Sequence, residues 1–222
     1  MTSTPDHSRL LTQAARKHLA PFGCKQKGRS RFWFDDHDWW AATVEFQPSS
    51  WSKGSYLNVG AMWLWHPADH WVFNEFERVA PFQEFRDDVQ FAEVASQLAE
   101  RAASQVLVLR EKFNSIEAVA TYLTQTPTGG FWQDYQAGIA ASLVGDTSAA
   151  AARFKAVASI PATAAWIGEA QARAQRLFDS FTSMTRAREL VAAEVARTRE
   201  KLGLPALPAD ADLWAPAGRV AA

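Results

Sequence analysis

Arg29-Ser-Arg-Phe-Trp-Phe34, then Asp35-Asp-His-Asp38, then Trp39-Trp-Ala-Ala-Thr-Val-Glu-Phe-Gln47: the reading of this run decides the fold. The first segment is aromatic and suits a strand. The second is a cluster of turn formers and is expected to be a hairpin loop. The third alternates. Trp40, Ala42, Val44 and Phe46 fall on one face of a strand; Trp39, Ala41, Thr43, Glu45 and Gln47 fall on the other. Pro48-Ser-Ser-Trp-Ser-Lys-Gly54 interrupts the pattern, and a third strand is expected from about Ser55 to Trp65. One of its faces carries Leu57, Val59, Ala61, Trp63 and Trp65. The other carries Tyr56, Asn58, Gly60, Met62 and Leu64. From Val59 on it is nearly apolar on both faces, as in a central strand covered on both sides. Seven of the ten tryptophans lie between Arg29 and Trp71, so an antiparallel meander rich in rings is expected here.

Upstream, Thr4-Pro5 suits a helix start. Leu10, Leu11, Ala14, Ala15, Leu19 and Phe22 then form one helical stripe, closed by Pro21 and Gly23. Lys25, Lys27, Arg29 and Arg31 recur at every second position. If that segment is extended, the four charges line one face, either as a phosphate-backbone contact or as a charged edge strand guarded against aggregation. Downstream, Trp71 to Phe85 contains Pro81 and suits a further edge strand or an irregular crossover.

At Asp87-Asp88 the composition turns from aromatic to alanine-rich and helical. Asp88 is an expected N-cap for a helix reaching Phe113, and Asn114 with Glu117 suits a capping box before a helix with Ile116, Val119, Ala120 and Leu123. Thr126 to Gly130 is a break. From Thr163 to Leu202 helical spacing continues. It is either broken near Asp179-Ser180 or is one long arm, which makes a homodimer through the C-terminal helices possible. The expected fold class is α+β: an N-terminal helix, an antiparallel meander of three to four strands, then an all-α region. The expected divisions are 1–86, 87–204 packed on it, and a flexible tail at 205–222.

Net charge is −1, so no overall field favours nucleic acid or an anionic membrane. The single cysteine, Cys24, excludes an internal disulfide. The N-terminus lacks a signal-peptide pattern and no apolar run reaches the ~20 residues of a membrane span, so a soluble cytoplasmic protein is expected. His66-Pro-Ala-Asp-His70 and Asp35 to Asp38 contain metal-binding residue types. Pro67 breaks the first cluster, and the second lacks calcium-loop spacing, so neither is assigned a metal. No cofactor is expected.

Two resemblances add to this. Gly23-Cys-Lys-Gln-Lys-Gly28, Arg31-Phe-Trp33, Val44-Glu-Phe-Gln47 and Tyr56-Leu-Asn-Val-Gly60 follow a helix in an order that resembles a bacterial family of uncharacterised proteins, domain of unknown function 4304, over about residues 8–66. It implies a small α+β domain and no assigned activity. Cys24 stands where that pattern has an aromatic. Gly138, Gly145-Asp146, Ala150, Phe154 and Pro161 resemble a single tetratricopeptide unit at about 131–161, which implies a helical hairpin. Ala141 and Val157 depart from it, and no second copy follows.

Three functions compete. A non-catalytic binding or protein-interaction module, with an unknown protein partner or small ligand, would use Glu45, Gln47, Trp51, Asn58, Trp63 and Trp65. A hydrolase would use Glu45 or the Asp/His clusters, although GxSxG, HExxH and a phosphate-cradling glycine loop are missing. A weak nucleic-acid binder would use Lys25, Lys27, Arg29 and Arg31. The first is preferred.

Overall fold

The computed structural model describes residues 6–208 and 212–214. The Thr4-Pro5 helix start therefore lies outside the described residues, as does most of the tail. The chain divides into two compact units, Met1–Met62 with Val72–Glu111, and Trp63–Trp71 with Lys112–Ala222.

The first unit opens with α1 (Asp6–His18), whose apolar stripe buries Leu11, Ala14 and Ala15. A short 3-10 turn over Ala20–Phe22 follows and ends on Gly23 at φ 84°. Phe22 does not join the stripe. It lies beyond the helix and is 40% exposed.

Five antiparallel strands then pair in sequence order: β1 (Lys25–Gln26), β2 (Phe32–His37), β3 (Trp40–Glu45), β4 (Gly54–Trp63) and β5 (Glu75–Glu84). The meander is thus present with one strand more than expected. Asp35, Asp36 and His37 are not loop. They continue β2, pairing with Ala42, Ala41 and Trp40. The turn is only Asp38-Trp39, with Asp38 at φ 63°, a conformation that aspartate tolerates better than most side chains. β4 is buried along nearly its whole length, as its two apolar faces require. β5 is an edge strand and accommodates Pro81, whose missing N–H costs no ladder bond when it faces away from the sheet.

Register sorts the faces. Trp33 pairs with Val44, and Asp35 with Ala42; this face also meets α2 (Asp88–Lys112), because Arg110 Nε donates to Asp35 Oδ2 at 2.8 Å. The opposite face carries Phe32, Thr43, Glu45, Asn58 and Gly60. α2 is capped one residue earlier than expected, with the Asp87 carboxylate accepting from Gln90 N–H at 2.9 Å.

The second unit is helical: α3 (Ile116–Gln125), α4 (Phe131–Leu143), α5 (Thr147–Ser159), α6 (Ala165–Ser180) and α7 (Met184–Leu202). Ser115, not Asn114, caps α3 by accepting from Ala118 N–H. α4 and α5 form the expected hairpin, with Gly145 at φ 78° in its turn and the Asp146 carboxylate capping α5. α4 is buried from Asp134 to Leu143 and touches α3, α5 and α7. Arg153 on α5 binds Asp134 at 2.7 Å and donates to the Thr124 and Thr126 carbonyls at the end of α3. The stretch 163–202 is not one long arm. It stops after Ser180 and restarts with Ser183 capping α7 through Arg186 N–H. No described helix is long and apolar enough to cross a membrane.

Candidate functional site

The face of the sheet opposite Trp33 brings three of the candidate residues together. Glu45 at the end of β3 and Gln47 two residues beyond it lie on one side, and Asn58 of β4 lies between them. Asn58 Nδ2 donates to Glu45 Oε2 at 3.0 Å and to Gln47 Oε1 at 2.9 Å. Two acceptors fix the amide orientation, so Asn58 Oδ1 must face away from both. Sequence reasoning missed two further members. Arg78 pairs with Asn58 across β5, donates to Gln47 Oε1 at 3.0 Å, and lies over the Tyr56 ring at 4.3 Å. Alternation places Tyr56 on the same face as Asn58. β5 carried no clear alternation, so nothing aligned Arg78 with it.

Asn58 is only 2% exposed, yet its Oδ1 meets no hydrogen-bond partner among the described residues. The Thr43 hydroxyl on this face is likewise buried and unpartnered. Rings flank the row. Phe32 is Glu45's cross-strand neighbour, Phe73 lies edge-on to Phe32 at 6.1 Å, and Phe76 is 56% exposed. Gly60 makes this possible, since a β-carbon there would meet Phe73 at 2.8 Å and overlap the Glu75 carbonyl.

The tryptophan candidates separate. Trp51, on the loop between β3 and β4, is 94% exposed. Trp63 and Trp65 are not surface rings. Both are fully buried in the helical unit, stacked at 5.6 Å, with Trp63 edge-on to Phe113 and the Trp65 indole N–H donating to Gln136. Trp63 ends β4 and Trp65 lies just beyond it, and both belong to the helical unit, whose core they fill. Trp214 also packs against Trp65, at 6.5 Å.

Lys25 to Arg31 does not form one extended basic face. Only Lys25-Gln26 is strand, and residues 28–30 turn. Arg31 is half-buried, donating to Ser8 Oγ and, at 3.1 Å, to the Gly54 carbonyl. Arg29 instead joins Arg9 and Arg16 of α1 around a cleft of about 610 Å³, lined also by Thr12, Gln13, Gln26 and Gly28.

The remaining reactive types are engaged structurally. Asp35 is buried between His37, at 2.5 Å, and Arg110. Burial works to raise its carboxyl, but the hydrogen bonds from His37 and Arg110 prevail and hold it below the usual carboxylate range. Beside it Cys24 is buried, and desolvation, reinforced by the Asp35 charge, pushes its thiol up to about 12. Such a thiol is no nucleophile at neutral pH. His66 is buried and accepts at Nδ1 from the Gln136 amide, while His70 is exposed and paired with Asp69. Glu45 and His66 belong to different compact units. Among the described residues no three of His, Cys, Asp and Glu are grouped to hold a metal.

Comparison of the chain with protein-family models, with curated proteins and with solved structures finds no match.

Proposed function

We propose that the chain is a non-catalytic binding module whose sheet receives an arginine side chain of a partner protein at Glu45, which Asn58 holds in place. The observation that carries this is the half-exposed Glu45 carboxylate, which forms no ion pair among the described residues and lies beside the rings of Phe32 and Phe73. A carboxylate held in place by Asn58 and left without a cation suits a donor with positive charge. A guanidinium is planar and presents several N–H groups at once. It can grip the Glu45 carboxylate with two N–H groups and lay its face on a ring. Phe32 and Phe73 supply such rings. Arg78 does not fill this role, because its guanidinium is turned to Gln47 and Tyr56.

The hydrolase reading has no comparable support, since its acid–base candidates are divided between units or held in ion pairs. We also propose the 4304 family for residues 8–66, a resemblance that brings no assigned activity with it.

The test is a two-dimensional NMR titration of the full chain with N-acetyl-arginine amide. Saturable shifts at the Asn58 side-chain amide and its β3 and β5 neighbours are expected. Shifts confined to other residues, or none, overturn the proposal.

A further inference from the structure

The cleft between α1 and the turn after β1 has a basic, polar lining. Arg9 and Arg16 stand seven residues apart on α1, about 10 Å along the helix axis. Arg29 faces them from the turn, and Thr12, Gln13 and Gln26 fill the wall with hydroxyl and amide groups. Among the described residues the lining contains three guanidinium groups and no carboxylate. Arg9 is partly neutralised from outside it, by Asp88 at 3.2 Å and Asp6 at 3.8 Å. Arg16 and Arg29 form no ion pair among the described residues. A protein of net charge −1 has concentrated unpaired cations here. That arrangement focuses an anion into the cleft even where the molecule as a whole does not attract one.

We infer that this cleft is a binding site for a small phosphate ester. It does not depend on the arginine site proposed for the sheet, and no residue is shared with it. Guanidinium forks match phosphate oxygens two at a time, and three of them around one cleft suit the higher charge of a phosphate ester better than a lone carboxylate. The volume, about 610 Å³, lies in the range of small-molecule pockets rather than of an extended groove. Thr12, Gln13 and Gln26 offer donors and acceptors suited to the hydroxyls of a polyol body. The described lining residues include no aromatic ring, so successive bases of a single strand find no stacking platform there. This separates a phosphorylated polyol from nucleic acid. Gln13 also lines a neighbouring groove of about 430 Å³ with Lys17, Leu10 and Ala92, which extends the site along α1.

The experiment is calorimetric titration of the full chain at low salt with ribose 5-phosphate, with inorganic phosphate, and with a labelled twelve-nucleotide single strand. The Arg16→Ala/Arg29→Ala double variant changes two exposed side chains and is checked by its melting curve. Lys155→Ala, an exposed charge in the helical unit, is the control for net charge. Saturable ribose 5-phosphate binding that falls tenfold or more in the double variant and is unchanged in the control is the expected result. Absent binding, or binding the double variant retains, overturns the inference. Oligonucleotide binding that depends on Arg16 and Arg29 and that ribose 5-phosphate does not displace overturns it in favour of nucleic acid. Binding of inorganic phosphate as tight as the ester also overturns it, because the cleft would then read the anion alone.

Discussion

The Phe154 ring lies 3.0 Å from the point a β-carbon on Gly138 would occupy, so α4 and α5 touch at a position that admits only hydrogen. Phe154 cannot move aside freely. It is 4% exposed and is held by Tyr135, Phe178 and Phe181. Gly138→Ala therefore sets two effects against each other. Alanine in a helix gains about 1 kcal/mol of propensity, and overpacking a rigid core costs about 1–3 kcal/mol. The packing cost is expected to win, giving a net loss on the order of 1 kcal/mol by urea unfolding. Gly168→Ala on α6 is the contrast, since its nearest obstacle is 4.0 Å away. It is expected to stabilise by up to about 1 kcal/mol. Equal effects at the two sites would show that the hairpin is not packed as described.

His66 makes the fold acid-labile earlier than its carboxylates alone would. Burial, aided by the His70 and Arg173 charges, lowers its pKa from 6.5 to about 4. The unfolded chain therefore binds the proton more readily. The stabilisation is fully present above pH 6.5 and is lost as pH falls toward 4, by roughly 3 kcal/mol in all. His66→Gln keeps an acceptor for Gln136 and removes the titration. Urea midpoints that fall more steeply between pH 6.5 and 4.5 in the parent than in the variant are the expected outcome; His7, whose pKa burial also lowers, leaves the variant a smaller slope. Parallel curves would remove His66 from the account.

Cys24 is expected to resist alkylation. With its thiol near 12 and only 4% exposed, the thiolate is scarce and shielded at pH 8. Iodoacetamide should label it orders of magnitude more slowly in the native chain than in 6 M guanidinium. Rapid native labelling would contradict its placement beside Asp35.

Much of this architecture was legible beforehand, and particular residues show why. Alternation in β3 and β4 placed Glu45, Gln47 and Asn58 on one face, because the pleat has a period of two and pairing keeps neighbours in line. The four buried positions of α3 followed from helical spacing in the same way. β1 has two residues, too few to show any period, so the basic segment was read as longer than it is. Asp35 to His37 look like turn residues, yet Arg110 on α2 neutralises the buried carboxylate and lets the strand run on. That partner is seventy-five positions away, beyond any local pattern. The cleft was hidden for the same reason, since Arg29 joins Arg9 and Arg16 only through tertiary folding. Trp63 and Trp65 misled because ring abundance does not distinguish a binding surface from a core.

The charge on Glu45 is the centre of the functional account, and Glu45→Gln removes it while leaving an acceptor for Asn58. The most direct measurement is calorimetry of the parent and this variant with a short peptide holding one central arginine, at low and moderate salt. Charge-assisted hydrogen bonds contribute about 1.5–3 kcal/mol, so the expected result is binding weakened at least about tenfold by the substitution. Equal affinity in the two proteins, or no binding by the parent, would contradict the account.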